Sequence, residues 1–246
     1  MGYSNSSLVA YMLLSPNHSG LRTERIDRIS PHCVVGQCTA EGLGDWFHKS
    51  STQASSNYGI DKNGRIGLYV EEKNRSWCTS SNANDQRAVT IECASDKAEP
   101  YAMHQVVYER LVDLCEDICR RNGKKKLLWF GDKNKSLNYQ PKADEMLITV
   151  HRWFANKSCP GDWLYARLGD LASKVTSRLG SGNVEVIPSG MQAGEFQGLT
   201  EEQVLAKVGP LFTADQKKSG ILASVSMAQF ILESVSLRWV PITVLE

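Results

Sequence analysis

The chain lacks a charge excess of either sign. Its 28 Lys and Arg stand against 27 Asp and Glu, leaving +1 at pH 7, where a dedicated nucleic-acid binder would carry a basic surplus. It also lacks any apolar stretch near the length of a membrane span, so no membrane partner is expected. Met1–Leu14 contains no Lys or Arg and only a short, broken apolar run. That is a poor secretory signal, and synthesis in the cytoplasm without a leader is the expectation. There is no internal repeat, which excludes a solenoid. The seven cysteines are odd in number and irregularly spaced. Without a secretory route most of them read as reduced, buried thiols rather than a disulfide framework.

What is present is a chain of 246 residues with 41% hydrophobic content, enough for one large domain or one domain plus an appendage. β-rich runs alternate with helical patterns. Arg25–Val35, Ala88–Cys93 and Met146–Val150 read as strands, and Tyr58–Ile60 with Ile66–Val70 reads as a hairpin closed by a Gly-containing turn. Ser15–Gly20 is turn-rich. Glu41–His48 suits a short helix. Pro100 is placed to open a long helix, with Val107, Leu111, Leu114, Cys115 and Ile118 at helical spacing and Asn122-Gly123 as its stop. Cys115 and Cys119 fall on that stripe and read as core rather than metal ligands. Pro160 is placed to open a further helix to Leu179. The expected fold class is α/β, a mixed central sheet flanked by helices and followed by a short helical C-terminal segment.

The chemistry concentrates in Val150-His151-Arg152-Trp153-Phe154-Ala155-Asn156-Lys157-Ser158-Cys159-Pro160-Gly161. A histidine leaves a strand end and a cysteine waits before a helix start. Imidazole and thiolate are ligands that zinc prefers. A third comes best from His32, in the strand-like Ile29–Val35, although His32 alone reads equally as a histidine satisfied inside a sheet. His32, His151 and Lys157-Ser158-Cys159-Pro160-Gly161 together resemble the zinc-dependent N-acetylmuramoyl-L-alanine amidases of the amidase-2 family, relatives of the peptidoglycan recognition proteins. The resemblance spans roughly Ser7 to Gly180. It implies a Zn2+ held by His32, His151 and Cys159, with an open position for water. It also implies that Glu92 serves as acid–base residue, Lys157 as oxyanion donor, and Tyr58 as a hydrogen-bonding residue near the water. The bland readings are an edge-strand glutamate, a loop lysine and a core aromatic. Cys33 is expected to face away from His32, because strand side chains alternate. Where many relatives have Trp-His, Trp77 is followed by Cys78. His18, His48 and His104 match nothing catalytic.

The implied activity is hydrolysis of the amide bond between N-acetylmuramic acid and L-alanine in peptidoglycan. The missing leader suggests a phage or prophage endolysin. Two other classes are a non-catalytic peptidoglycan-binding module, argued against by the complete ligand set, and a cysteine amidase pairing a thiol with His151, which a chelator would leave active. From Ser181 onward four Lys and Arg face seven Asp and Glu, a net −3 that leaves about +4 before it. That balance suits an anionic wall polymer, though a solvated surface explains it as well. The domain expectation is an amidase domain over 1–180, a Gly-rich linker over 181–198 and a helical tail over 199–246, entered by a capping box at Thr200-Glu201-Glu202-Gln203. Within the tail, Gly220–Ser234 resembles the opening of a bacterial glucosaminidase domain, with Glu233 at its catalytic position. Too little chain follows for a second cleft wall, so an inactive remnant is expected, packed either on the amidase domain or on another copy of itself.

Overall fold

The computed structural model describes residues 3–180, with Thr200 and Gln203. In chain order its elements are β1 (Val9–Met12), β2 (His18–Leu21), β3 (Arg28–Cys33), α1 (Ala40–His48), β4 (Tyr58–Ile60), β5 (Ile66–Leu68), β6 (Asn74–Ser76) and α2 (Asn82–Arg87). Then come β7 (Ala88–Cys93), α3 (Gln105–Arg121), β8 (Lys126–Leu128), α4 (Lys133–Asn138), β9 (Glu145–Ile148), α5 (Asp162–Tyr165) and α6 (Leu168–Gly180). Seven strands form one sheet in the order β1-β5-β4-β7-β3-β9-β8. Every neighbouring pair is parallel except the β4–β5 hairpin. β2 and β6 make a separate antiparallel pair. The mixed sheet with flanking helices is the expected α/β class.

Alternation along the two central strands explains how the sheet is covered. On β3 and β7, Ile29, Cys33, Val89, Ile91 and Cys93 join one buried apolar cluster with α3 and α6. Arg28, Ser30, His32, Thr90 and Glu92 occupy the opposite face, as a two-residue period requires. The register pairs His32 with Glu92, and Glu92 with Gly59 of β4. So a polar line crosses the middle of the sheet. Side-chain hydrogen bonds satisfy most of it: Ser30 to Thr149 at 2.7 Å, Arg28 to Asn84 at 3.1 Å and Thr90 to Ser76 at 2.8 Å. Farther along that face α1 packs through Leu43 and Phe47 on Tyr69.

α3 buries the expected stripe, including both Cys115 and Cys119. It ends where Asn122-Gly123 predicted. Gly123, at φ +66°, donates to the Arg120 carbonyl at 3.0 Å and Lys124 donates to the Cys119 carbonyl at 2.8 Å, a two-bond helix stop. The two proline expectations shift. Tyr101 has φ +55°, so the helix waits until Gln105. Gly161 has φ +81°, so Pro160 stays outside and α5 begins at Asp162. Neither conformation continues a right-handed helix. The predicted single helix to Leu179 is in fact α5 and α6, parted at Ala166-Arg167. The turn-rich Ser15–Gly20 contains the start of β2, and β1 and β6 carry no strong sequence signal. The chain divides into a unit Met1–Asn183 and a unit Val184–Glu246. The capping box is formed: Gln203 Oε1 accepts from Thr200 N at 2.9 Å, and Thr200 Oγ1 from Gln203 N at 3.4 Å. The expected linker, helical tail and glucosaminidase-like segment with Glu233 otherwise lie outside the described residues. Among the described residues no helix is long and apolar enough to cross a membrane.

Candidate metal centre

Parallel strands bring their carboxyl ends to one side of a sheet, where open α/β folds place ligands. β3 delivers His32 there and β7 delivers Glu92. β9 ends at Ile148, and His151 follows in a tight turn, His151–Trp153, rather than on the strand itself. The loop then returns Cys159, with Arg152 N bonded to the Cys159 carbonyl at 3.1 Å. The ligand atoms of His32, His151 and Cys159 all lie within 4.8 Å of one another. His32 Nδ1 stands 3.2 Å from Cys159 Sγ, and the two imidazole centroids are 5.2 Å apart. Zn–N bonds of ~2.0 Å and Zn–S bonds of ~2.3 Å put tetrahedral ligand pairs ~3.5 Å apart, so the trio is near the spacing one ion needs.

The electrostatics agree with that use. Burial pushes the His32 pKa down to about 3, and the neighbouring His151 adds to the shift. His151 is lowered too, by burial and by the charge of Lys157. Both imidazoles are therefore neutral near pH 7, the form that ligates. The Cys159 thiol is held well above its usual range by a hydrogen bond with Cys33, by burial and by Glu92. A cation placed between these groups would reverse that and favour the thiolate. A donor set of two neutral imidazoles and one thiol fits zinc better than magnesium or calcium. Among the described residues one further trio has ligand spacing, His32 with Cys78 and Glu92, and it shares His32 with the first.

Glu92 lies beside the trio. Its Oε1 is 3.8 Å from His32 Nδ1 and 3.8 Å from Cys78 Sγ. Its Oε2 is buried and has no hydrogen-bond partner. Burial pushes its carboxyl up to about 8, with the Cys78 thiol pulling slightly back. The alternation of Val89, Ile91 and Cys93 puts Glu92 on the opposite strand face, toward either a cleft or solvent. Glu92 lines a groove of about 420 Å³ whose walls include Val34, Leu43, Trp46 and Phe47. Trp46 is 58% exposed at that wall.

Lys157 is exposed on the loop two residues before Cys159, close enough for its charge to act on His151. Tyr58 is not brought to the cluster. Its register partner is Ile91, which places it on the α3 face. There its hydroxyl donates to Glu72 Oε1 at 2.6 Å and accepts from Ser6 N at 2.8 Å. It is a core aromatic, the bland reading. Cys33, expected to face away, lies in the apolar core yet hydrogen-bonds Cys159 across the strand end. His18, His48 and His104 each bond a nearby backbone atom. Sequence reasoning missed Ser80, whose Oγ is 3.0 Å from His151 Nε2, and Asp85, which holds the loop before it. Neither sits at a motif spacing.

The chain is similar to the solved structure of PlyL, at 14% identity over 71% of this chain and 97% of that one, with a TM-score of 0.47. It is similar to AmpD at 17% identity, 70% and 99% coverage and a TM-score of 0.49. For the Staphylococcus aureus hydrolase AmiA the figures are 13%, 70%, 91% and 0.46. No curated protein sequence matches the chain. The family model of N-acetylmuramoyl-L-alanine amidase matches residues 22–162, which hold His32, Glu92, His151 and Cys159. More than half of the chain is thus matched, and the protein belongs to the N-acetylmuramoyl-L-alanine amidase family.

Proposed function

We propose that the protein is a zinc amidase that hydrolyses the bond between the muramoyl lactyl group and L-alanine of peptidoglycan. The observation that carries this reading is the meeting of His32, His151 and Cys159 within 4.8 Å beside a half-buried Glu92 whose Oε2 has no hydrogen-bond partner. These three side chains would hold the ion. Zinc bound there would polarise the scissile carbonyl and acidify a water.

The remaining work falls to the chain's own groups. Glu92 would take the proton of the attacking water on Oε2, the oxygen that has no other partner. The same carboxyl then gives that proton to the departing alanine nitrogen, so that the amine leaves neutral. Burial raises this carboxyl from the usual range toward neutrality, where a group can both take a proton and give it up. Lys157, from the loop, would steady the negative charge on the carbonyl oxygen. The groove beside Glu92 has apolar and aromatic walls, suited to covering the substrate and excluding water. The role proposed for this hydrolysis is lysis of a bacterial wall, as by an endolysin.

The test is digestion of purified peptidoglycan by the full chain, with products identified by mass and metal measured in parallel. Release of intact stem peptides with a free alanine amine, one zinc per chain and loss of activity on chelation are expected. Full activity after the metal has been stripped would overturn the zinc reading and favour a thiol mechanism.

A further inference from the structure

The loop Cys78-Thr79-Ser80 crosses the face of the sheet that carries His32 and Glu92. It contributes two side chains to the neighbourhood of the metal trio: the Cys78 thiol at Glu92, and the Ser80 hydroxyl at His151. Its backbone is not relaxed. Ser80 has φ +61°, the left-handed region that a side chain other than glycine enters at a cost. Such a conformation persists only where the surroundings impose it.

The surroundings here are one buried carboxylate. Asp85, 3% exposed, accepts from Cys78 N at 3.1 Å and from Thr79 N at 3.2 Å, and takes the Thr79 hydroxyl at 2.5 Å. Asn84 adds a bond to Thr79 Oγ1 at 3.3 Å. Ser81 then caps α2 by accepting from Asn84 N at 3.3 Å. With the residues before Ser80 clamped by Asp85 and the residue after it fixed as a helix cap, Ser80 has little freedom left. The result is a hydroxyl directed at His151 Nε2, 3.0 Å away.

A histidine has two ring nitrogens, and a bond to one decides what the other does. Ser80 occupies Nε2, so the nitrogen free for an ion is Nδ1. An ion on Nδ1 requires the ring proton on Nε2, and Ser80 Oγ lies within reach to accept it. We propose that Ser80, held in its left-handed conformation by Asp85, is a positioning residue that fixes the ring orientation of His151 and accepts its Nε2 proton when Nδ1 takes the metal. This rests on the zinc reading above and adds a residue that the ligand motif does not contain.

The test uses zinc itself as probe on the full chain, in competition with a chromophoric chelator, for wild type, Ser80→Ala and Ser80→Gly. Loss of an outer hydrogen bond to a ligating histidine weakens metal binding by ~10–100-fold. Both variants are expected to show that loss, while the melting temperature of the metal-free protein is unchanged in Ser80→Ala and raised in Ser80→Gly, where the backbone cost is relieved. If Ser80→Ala binds zinc as wild type does, the hydroxyl does not position His151. If only Ser80→Ala is weakened and Ser80→Gly binds normally, backbone strain and not the hydroxyl is responsible, and the proposal also falls. A wild-type chain that binds no zinc would instead overturn the metal reading itself.

Discussion

Glu92 joins stability and chemistry in one side chain. As the proton carrier proposed above it should be replaceable without loss of the metal. Glu92→Ala is expected to lower kcat by ~10²–10⁴-fold while zinc content stays at the wild-type level. Activity close to wild type would remove Glu92 from the mechanism and leave the ligand set standing. Lys157→Ala should cost ~10²–10³-fold in the same assay if Lys157 is an oxyanion donor, again with the metal retained. Glu92 also makes a prediction for the metal-free fold. Its folded pKa of about 8 lies above the unfolded value of 4.5. Between those values the folded chain holds a proton that the unfolded chain releases, so the contribution of Glu92 to stability falls as pH rises from 4.5 through 8. Glu92→Gln carries no such penalty. In urea unfolding of chelator-treated protein the variant should be the more stable at pH 8, with the gap to wild type narrowing toward pH 4.5. A gap independent of pH would mean that the Glu92 carboxyl titrates normally in the fold.

At the scale of elements, two glycines separate conformational cost from steric cost. Gly123 ends α3 at φ +66° with open space around it, so Gly123→Ala should cost ~1–2 kcal/mol from backbone strain alone. Gly59 sits in β4 beside Glu92 in the register, and a Cβ there would lie 2.5 Å from Leu43 and 2.7 Å from Tyr69. Gly59→Ala should cost ~1–3 kcal/mol by overpacking and displace α1, whose Leu43 lines the cleft. Equilibrium unfolding checks both, and only Gly59→Ala should also raise KM. The same elements show what a sequence discloses. The period-two pattern of Ala88–Cys93 placed Glu92 on the cleft face because alternation is a property of the strand alone. Asn122-Gly123 marked its helix end because the stop is built from local hydrogen bonds. The meeting of His32, His151 and Cys159 was legible because these residues carry the resemblance to the amidase family. Tyr58 was misplaced because its face depends on register against β7, where a shift of one residue exchanges the two faces. Pro100 and Pro160 misled because each is followed by a residue of positive φ, which composition does not reveal. Ser80 escaped notice because its importance comes from Asp85, and a lone serine five residues before an aspartate has no pattern.

For the whole molecule, the site draws on the carboxyl ends of three neighbouring strands, β7, β3 and β9, and on the loop that follows the last of them. Its parts are far apart in sequence, His32 and Cys159 being 127 residues apart, yet all precede Gly180. Every side chain that binds, positions or moves a proton in the proposed reaction therefore belongs to the unit Met1–Asn183. The C-terminal stretch has a different charge balance, and Glu233 within it lies in a segment that resembles the start of a glucosaminidase. Removing residues 181–246 should leave hydrolysis of a soluble muramoyl peptide unchanged, and release of reducing sugar from peptidoglycan is measured on the same two proteins. Two assays on the two lengths of chain decide this. Reducing sugar that appears only with the full chain would make the C-terminal stretch a second enzyme. An amide-cleaving rate that collapses on truncation would show that the first 180 residues need the rest in order to work. Light scattering on the same pair tests the proposed self-association. A full chain that is a dimer while the shortened one is a monomer supports it, and equal association states assign any dimer to the sheet-bearing unit.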